Sequence, residues 1–247
     1  MTGCTGLVHA PPHPAALQFA AIAQTNLPPE TCDYHAAMAL DPTDALGNNT
    51  YSNCVEAGML RLAQMRMANA MGSSWKPNSG MAIALWRSWT NYTGTAAPGP
   101  GSDIATSQRM LATQGLSFPD IQEVDVCIPF IIDATQLPQI RRAIRRLGGV
   151  GFCFAMPDAW ENADRWDVGP NLDGAWAPKN YHFVVSGCYD PETFTLLTWG
   201  LQIPLTLAGL AAYCVGCYGY LSRATWMEPT GLSPAGLDWD ATRAAFA

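Results

Sequence analysis

Gly47-Asn48-Asn49-Thr50-Tyr51-Ser52-Asn53-Cys54 is a polar, turn-forming stretch that ends in a cysteine, and Val55 to Ala70 follows without a break. In the second part, Val55, Met59 and Leu62 form one apolar stripe, and Leu60, Ala63, Met67 and Ala70 form another. A helix that is apolar on nearly every side is a buried, central one. Cys54 falls in its first turn, where unsatisfied N–H groups and the positive end of the helix dipole favour a thiolate. A polar loop that delivers a cysteine to the head of a buried helix suits a thiol nucleophile, and equally a thiol that only packs.

Outward from this segment, the composition describes a chain able to build a core. Of 247 residues, 49% are apolar and only 13% charged, so wholesale disorder is excluded. The formal net charge of −7 argues against nucleic acid as a partner. No basic n-region opens the sequence, so no secretory signal is expected. Thr193 to Ser222 lacks Asp, Glu, Lys and Arg, but Pro204 and four glycines interrupt it, so it reads as core strands and a short helix, not a membrane span.

Eight cysteines lie mostly inside apolar runs and read as reduced core thiols. Cys214 and Cys217 have a redox or zinc spacing, but no second pair completes a metal site, and in a regular strand they face opposite ways. No phosphate-binding glycine loop or His/acid cluster is present, so neither cofactor nor metal is expected.

Residues 1–46 are rich in Pro and Ala, with a short helix expected over Pro14–Gln24, and read as a docking arm that carries His9, His13 and His35. The main domain is expected over 47–228 and a surface tail over 229–247. Helices are expected at Gly80–Tyr92 and from the Ser102-Asp103 cap to Gln114. The period then changes: Val124, Val126, Ile128, Phe130 and Ile132 alternate as a strand, with Pro129 marking an edge or bulge. Gln136–Leu147 is an amphipathic helix whose four arginines face outward; Gly148 ends it, and Val150–Met156 is the next strand. After a Trp-rich excursion, strands Tyr181–Cys188 and Phe194–Trp199 form a hairpin around Asp190-Pro191, followed by a helix at Leu205–Tyr213 and a last strand from Cys214.

This order of parts resembles the papain-like cysteine peptidases, and in particular the small papain-like proteins encoded by phages and prophages. The resemblance runs from Gly47 to Trp226. It rests on Asn48 and Asn49 ahead of Asn53-Cys54, on Ala143 to Phe152, on Gly174-Ala175-Trp176 before His182 to Asp190, and on Thr198-Trp199-Gly200 before Pro204-Leu205-Thr206 and Tyr213. It implies an α+β fold with the nucleophile helix packed on a small antiparallel sheet. It implies Cys54 as nucleophile, His182 as general base, Asn48 as the oxyanion-stabilising amide and Thr198 as the residue that orients the histidine. The chemistry agrees, since a thiol needs an imidazole within hydrogen-bond reach to ionise it. Two features depart from the family: Thr198 stands where Asn or Asp is usual, and Tyr181 and Phe183 replace small neighbours of the histidine.

Two functions follow as expectations. One is a phage-encoded peptidase or amidase acting on a peptide or cell-wall substrate through an acyl-enzyme. The other is a virion structural protein of the tail, connector or capsid that keeps the fold and assembles with other virion proteins or with itself. Either places the chain in the virion, or in the host cytoplasm during assembly.

Overall fold

The computed structural model describes residues 7–8, 16–21, 27–41, 44–118, 121–227 and 230–244. In chain order its elements are β1 (Leu7–Val8), β2 (Leu17–Gln18), β3 (Cys32–Asp33), α1 (Cys54–Met71), α2 (Ser79–Thr90), β4 (Ser102–Asp103), α3 (Ile104–Thr113), β5 (Leu116–Phe118), β6 (Ile121–Asp125), β7 (Cys127–Ile132), α4 (Leu137–Leu147), β8 (Val150–Met156), β9 (Asn180–Tyr189), β10 (Thr193–Thr198), β11 (Leu201–Thr206), α5 (Leu207–Tyr213), β12 (Cys214–Ser222) and α6 (Trp239–Ala244).

The principal sheet has the order β11-β10-β9-β8-β12-β7-β2, with β3 also paired to β9. All its pairings are antiparallel except β2 on β7. Fully buried aromatic rings fill it: Phe152 packs edge-on to Phe194, and Phe154 edge-on to Trp160 and Trp166.

α1 is buried from Cys54 to Ala68, as an all-round apolar helix requires. Some of its polar side chains find partners inside: Arg66 Nε donates to the Leu147 carbonyl at 2.9 Å, and Asn69 Nδ2 to that of Tyr34 at 2.7 Å. The helix lies against β9 through glycine. A Cβ on Gly58 would stand 2.7 Å from the Phe183 ring and 3.1 Å from Val185, and one on Gly187 would meet the Met65 sulfur. Gly72, left-handed at φ 63°, closes the helix.

Local chemistry sets the other helix ends as read from the sequence. Asn78 accepts from Met81 N, Asp103 accepts from Thr106 N, and Gly148 at φ 70° terminates α4. The arginines of α4 do more than face solvent: Arg141 donates to the carbonyls of Asp190 and Pro191, pinning the β9–β10 turn, and Arg145 donates to the Tyr34 hydroxyl.

Several expectations are corrected. Of the helix expected over Pro14–Gln24, the described part is a two-residue strand and a short 3-10 turn; the remainder, like His9, His13 and Cys4, lies outside the described residues. The alternating run at 124–132 is two strands broken at Val126, β6 pairing with β5 and β7 with β12. The segment after Trp199 holds a strand, β11, that Pro204 had concealed. β11 is the edge strand, where a missing N–H is tolerated, and Trp166 bridges to its outer side. In β12 a bulge between Cys214 and Gly216 cancels the alternation: Cys214 pairs with Phe154 and Cys217 with Phe152, so the two thiols share a face. The tail is not all surface, since Leu237 and Trp239 are buried.

Candidate active site

The loop ahead of α1 is shaped by two successive left-handed residues, Leu46 at φ 53° and Gly47 at φ 78°. Asn53 Nδ2 donates to the Leu46 carbonyl at 2.9 Å and holds this curl against the helix start. Cys54 therefore opens α1 in the interior, with 1% of its surface exposed. Asn48 is buried beside it and donates to the Tyr51 carbonyl at 3.3 Å.

His182 comes from the start of β9, opposite Phe154 of β8. Phe183 and Val185 point at α1, so strand alternation sends the imidazole out of the other face. There it is fully buried. Its Nε2 lies 2.7 Å from Thr198 Oγ1, the indole of Trp199 stacks on it at 4.6 Å and 19°, and Trp166 meets it edge-on at 6.4 Å. Its Nδ1 is buried with no hydrogen-bond partner among the described residues. Burial pushes the imidazole down to about 3, so the ring is neutral at ordinary pH.

Thr198 and Trp199 arrive through a tight turn. Thr198 pairs with Leu201, and the two intervening residues, Trp199 (φ 49°) and Gly200 (φ 80°), both have positive φ, as a type I′ hairpin turn demands. Glycine suits that conformation. A bulky aromatic there is a strained choice, and it sits directly over the histidine.

A single cavity is lined by Cys54, Asn48, Thr198 and Trp199, together with Gly58, Arg61 and Phe183. It measures about 20 Å³, room for roughly one water. Three of the four site residues expected from the sequence thus meet in one place, and the fourth, His182, stands behind the wall, tied to it by Thr198. Among the described residues the hydrogen bond expected from Cys54 to His182 is not made, because Nε2 is on Thr198 and Nδ1 has no partner. The neighbours explain why: Phe183 fills the space between β9 and α1, and Trp199 closes over the ring.

The sequence reading missed two further residues. Arg61, two turns below Cys54 on the same helix face, lines the cavity. Glu56 in the first turn is fully buried, accepts from Ser102 Oγ at 2.5 Å, and is pushed up to about 7 by burial. A charge inside an otherwise apolar helix was the available signal for both. Among the described residues no group of His, Cys, Asp or Glu could hold a metal ion, and no helix is long and apolar enough to cross a membrane.

No protein-family model matches the sequence, and no curated protein matches it. Solved structures do match the fold. Xylellain, a cysteine protease from Xylella fastidiosa, superposes with a TM-score of 0.65 over 89% of this chain and 96% of its own, at 10% identity.

The fold is papain-like. A second match is to the cysteine protease and lectin-like domains of Cwp84, a surface layer associated protein of Clostridium difficile, with a TM-score of 0.55 at 9% identity. It covers 82% of this chain and 53% of that one. At these identities the likeness is one of papain-like architecture, and function has to be argued from this chain's own side chains.

Proposed function

We propose that this papain-like chain is a phage-encoded cysteine hydrolase that cleaves a peptide or amide bond, with a cell-wall amide as one variant of the substrate. The observation that carries the reading is the common cavity of Cys54, Asn48 and Thr198, with Thr198 holding Nε2 of His182. When the Nε2 proton is donated to Thr198 Oγ1, Nδ1 is left as a lone pair, the form a base requires. The Cys54 sulfur then adds to the substrate carbonyl carbon while its proton passes to Nδ1. The Asn48 amide and the Cys54 backbone N–H receive the developing oxyanion. Collapse returns the proton to the leaving amine, and water hydrolyses the thioester. The route requires Trp199 to leave the ring and Nδ1 to reach the thiol when substrate binds, since at rest the imidazole is stacked beneath Trp199 and its Nδ1 is buried without a partner among the described residues.

A second reading is favoured by one specific observation: His182 is fully buried under Trp199, beside a cavity the size of a water. In that reading the chain is a virion assembly protein, at the tail, connector or capsid, that retains the fold without turnover and binds other virion proteins or its own copies.

Labelling with a thiol-directed electrophile across pH separates the two. A hydrolase gives selective labelling of Cys54 below the ordinary thiol range of about 8.5, abolished by His182→Ala. Slow labelling indifferent to His182 overturns the hydrolase reading.

A further inference from the structure

A cleft of about 730 Å³ lies where the end of α1, β6, the turn after β12 and α6 come together. Among the described residues it shares no lining side chain with the Cys54 cavity. Its volume is in the range of pockets that hold ligands, and Met71, Glu123, Arg223 and Asp240 are exposed along it. The walls are already fixed. The Asp125 carboxylate accepts from Ser222 Oγ, Ala224 N and Thr225 Oγ1, which holds the turn after β12. Ser233 Oγ accepts from Leu237 N at 3.0 Å, and Trp239 N donates to the Gly231 carbonyl at 3.3 Å, which holds the entry into α6.

Much of the lining is apolar. Met227 and Trp239 are buried, Ile121 is half-buried, and Met71 is 51% exposed. Trp239 is only 5% exposed, and its indole Nε1 is buried with no hydrogen-bond partner among the described residues. A donor left in that state is costly, and a ligand carbonyl is the kind of acceptor it lacks. The charge along the cleft is mainly negative. Glu123 and Asp240 face the single cation Arg223 in number, and none of these three side chains makes a hydrogen bond or ion pair among the described residues. Ala70 and Met71 bring the carbonyl end of α1 to the same place. The end of such a helix carries about half a negative charge, and the last turn of α1 holds no basic side chain to offset it.

We infer that this cleft docks an extended peptide segment of a protein partner in which a lysine or arginine stands next to an apolar residue. The cation complements Glu123, Asp240 and the end of α1. The apolar side chain packs on Met71, Met227 and Trp239, and methionine adapts to varied shapes. The carbonyls of the segment supply acceptors for Arg223 and for the Trp239 indole. A second copy of this chain is the poorer occupant, because two chains of net charge −7 repel each other. Such docking needs no chemistry at Cys54 and stands under either reading of that cavity.

An NMR titration of the full chain tests this, read at the indole N–H of Trp239 among the nine tryptophans. The probe is the pentapeptide acetyl-Ala-Leu-Lys-Leu-Ala-amide, compared with versions that carry norleucine or Glu in place of Lys, and with spermidine. The expected result is a saturable shift of the Trp239 resonance with the Lys peptide and none with the Glu peptide. Affinity is expected to fall about tenfold with norleucine, and about threefold in Glu123→Gln or Asp240→Asn, as exposed ion pairs and a helix end require. Equal affinity for the Lys and norleucine peptides, spermidine binding as tightly as the peptide, or no shift at millimolar probe overturns the inference, and each is read on the native chain. A Trp239 resonance that moves with protein concentration alone assigns the cleft to a second copy and overturns it as well.

Discussion

His182 Nε2 and Thr198 Oγ1 lie 2.7 Å apart in the buried interior, and this contact is the one hydrogen bond the imidazole makes among the described residues. Thr198→Val keeps the shape and removes the partner, leaving both ring nitrogens unsatisfied. The expected cost is roughly 1–3 kcal/mol in urea denaturation, with turnover reduced as the ring loses its orientation. Thr198→Ser retains both. A Val variant as stable as the native chain would show that the hydroxyl holds nothing.

Two buried groups give stability opposite dependences on pH. His182 is held at about 3 by burial, against an ordinary value near 6.5. The unfolded chain takes up that proton first, so the contribution of this group is complete above about 6.5 and lost as pH falls toward 3. Glu56, raised by burial to about 7, behaves the other way: its contribution is complete below about 4.5 and lost as pH rises through 7. Glu56→Gln removes this loss, on the order of 3 kcal/mol, and leaves the His182 gain unopposed, so the denaturation midpoint of the variant is expected to rise from pH 5 to about 6.5 and to level off above 7. An unchanged slope in that variant would place the titration elsewhere.

Gly58 is the contact point of α1 and β9. In Gly58→Ala the gain in helix propensity, about 1 kcal/mol, opposes the cost of forcing a methyl group to 2.7 Å from the Phe183 ring. Overpacking costs roughly 1–3 kcal/mol, so the net effect is destabilising. Adding Phe183→Leu relieves the clash, and a double-mutant cycle is expected to show positive coupling between the two sites.

Trp199 combines a left-handed backbone with a stack on His182. Trp199→Asn suits the turn better and uncovers the ring. The imidazole is expected to move up from about 3 toward its ordinary range, seen by NMR titration of the ring protons. An imidazole that stays neutral below pH 4 in this variant would assign the effect to Trp166 and the sheet interior.

Much of this arrangement was legible in the sequence because it is local or periodic. The α1 pattern, the turn at Asp190-Pro191 and the sixteen-residue step from His182 to Thr198 are of this kind. What was not legible depends on contacts across the fold. Pro204 reads as a strand breaker until its strand proves to be an edge, and the Cys214–Cys217 spacing misleads until a bulge resets the alternation. The side of β9 from which His182 emerges is fixed by Phe183 seeking Gly58, a pairing 125 residues apart.

α1 is buried almost all round, yet β8 and β9, which cover it, lie far downstream in the chain. At about 5–20 residues per second, the ribosome needs roughly 6–24 s to go from the end of α1 to the end of β9. Through that interval a largely apolar helix waits without its sheet, and the thiol at its head waits without its imidazole. Nascent chains halted before residue 180 are thus expected to be held by chaperones and to be chemically silent.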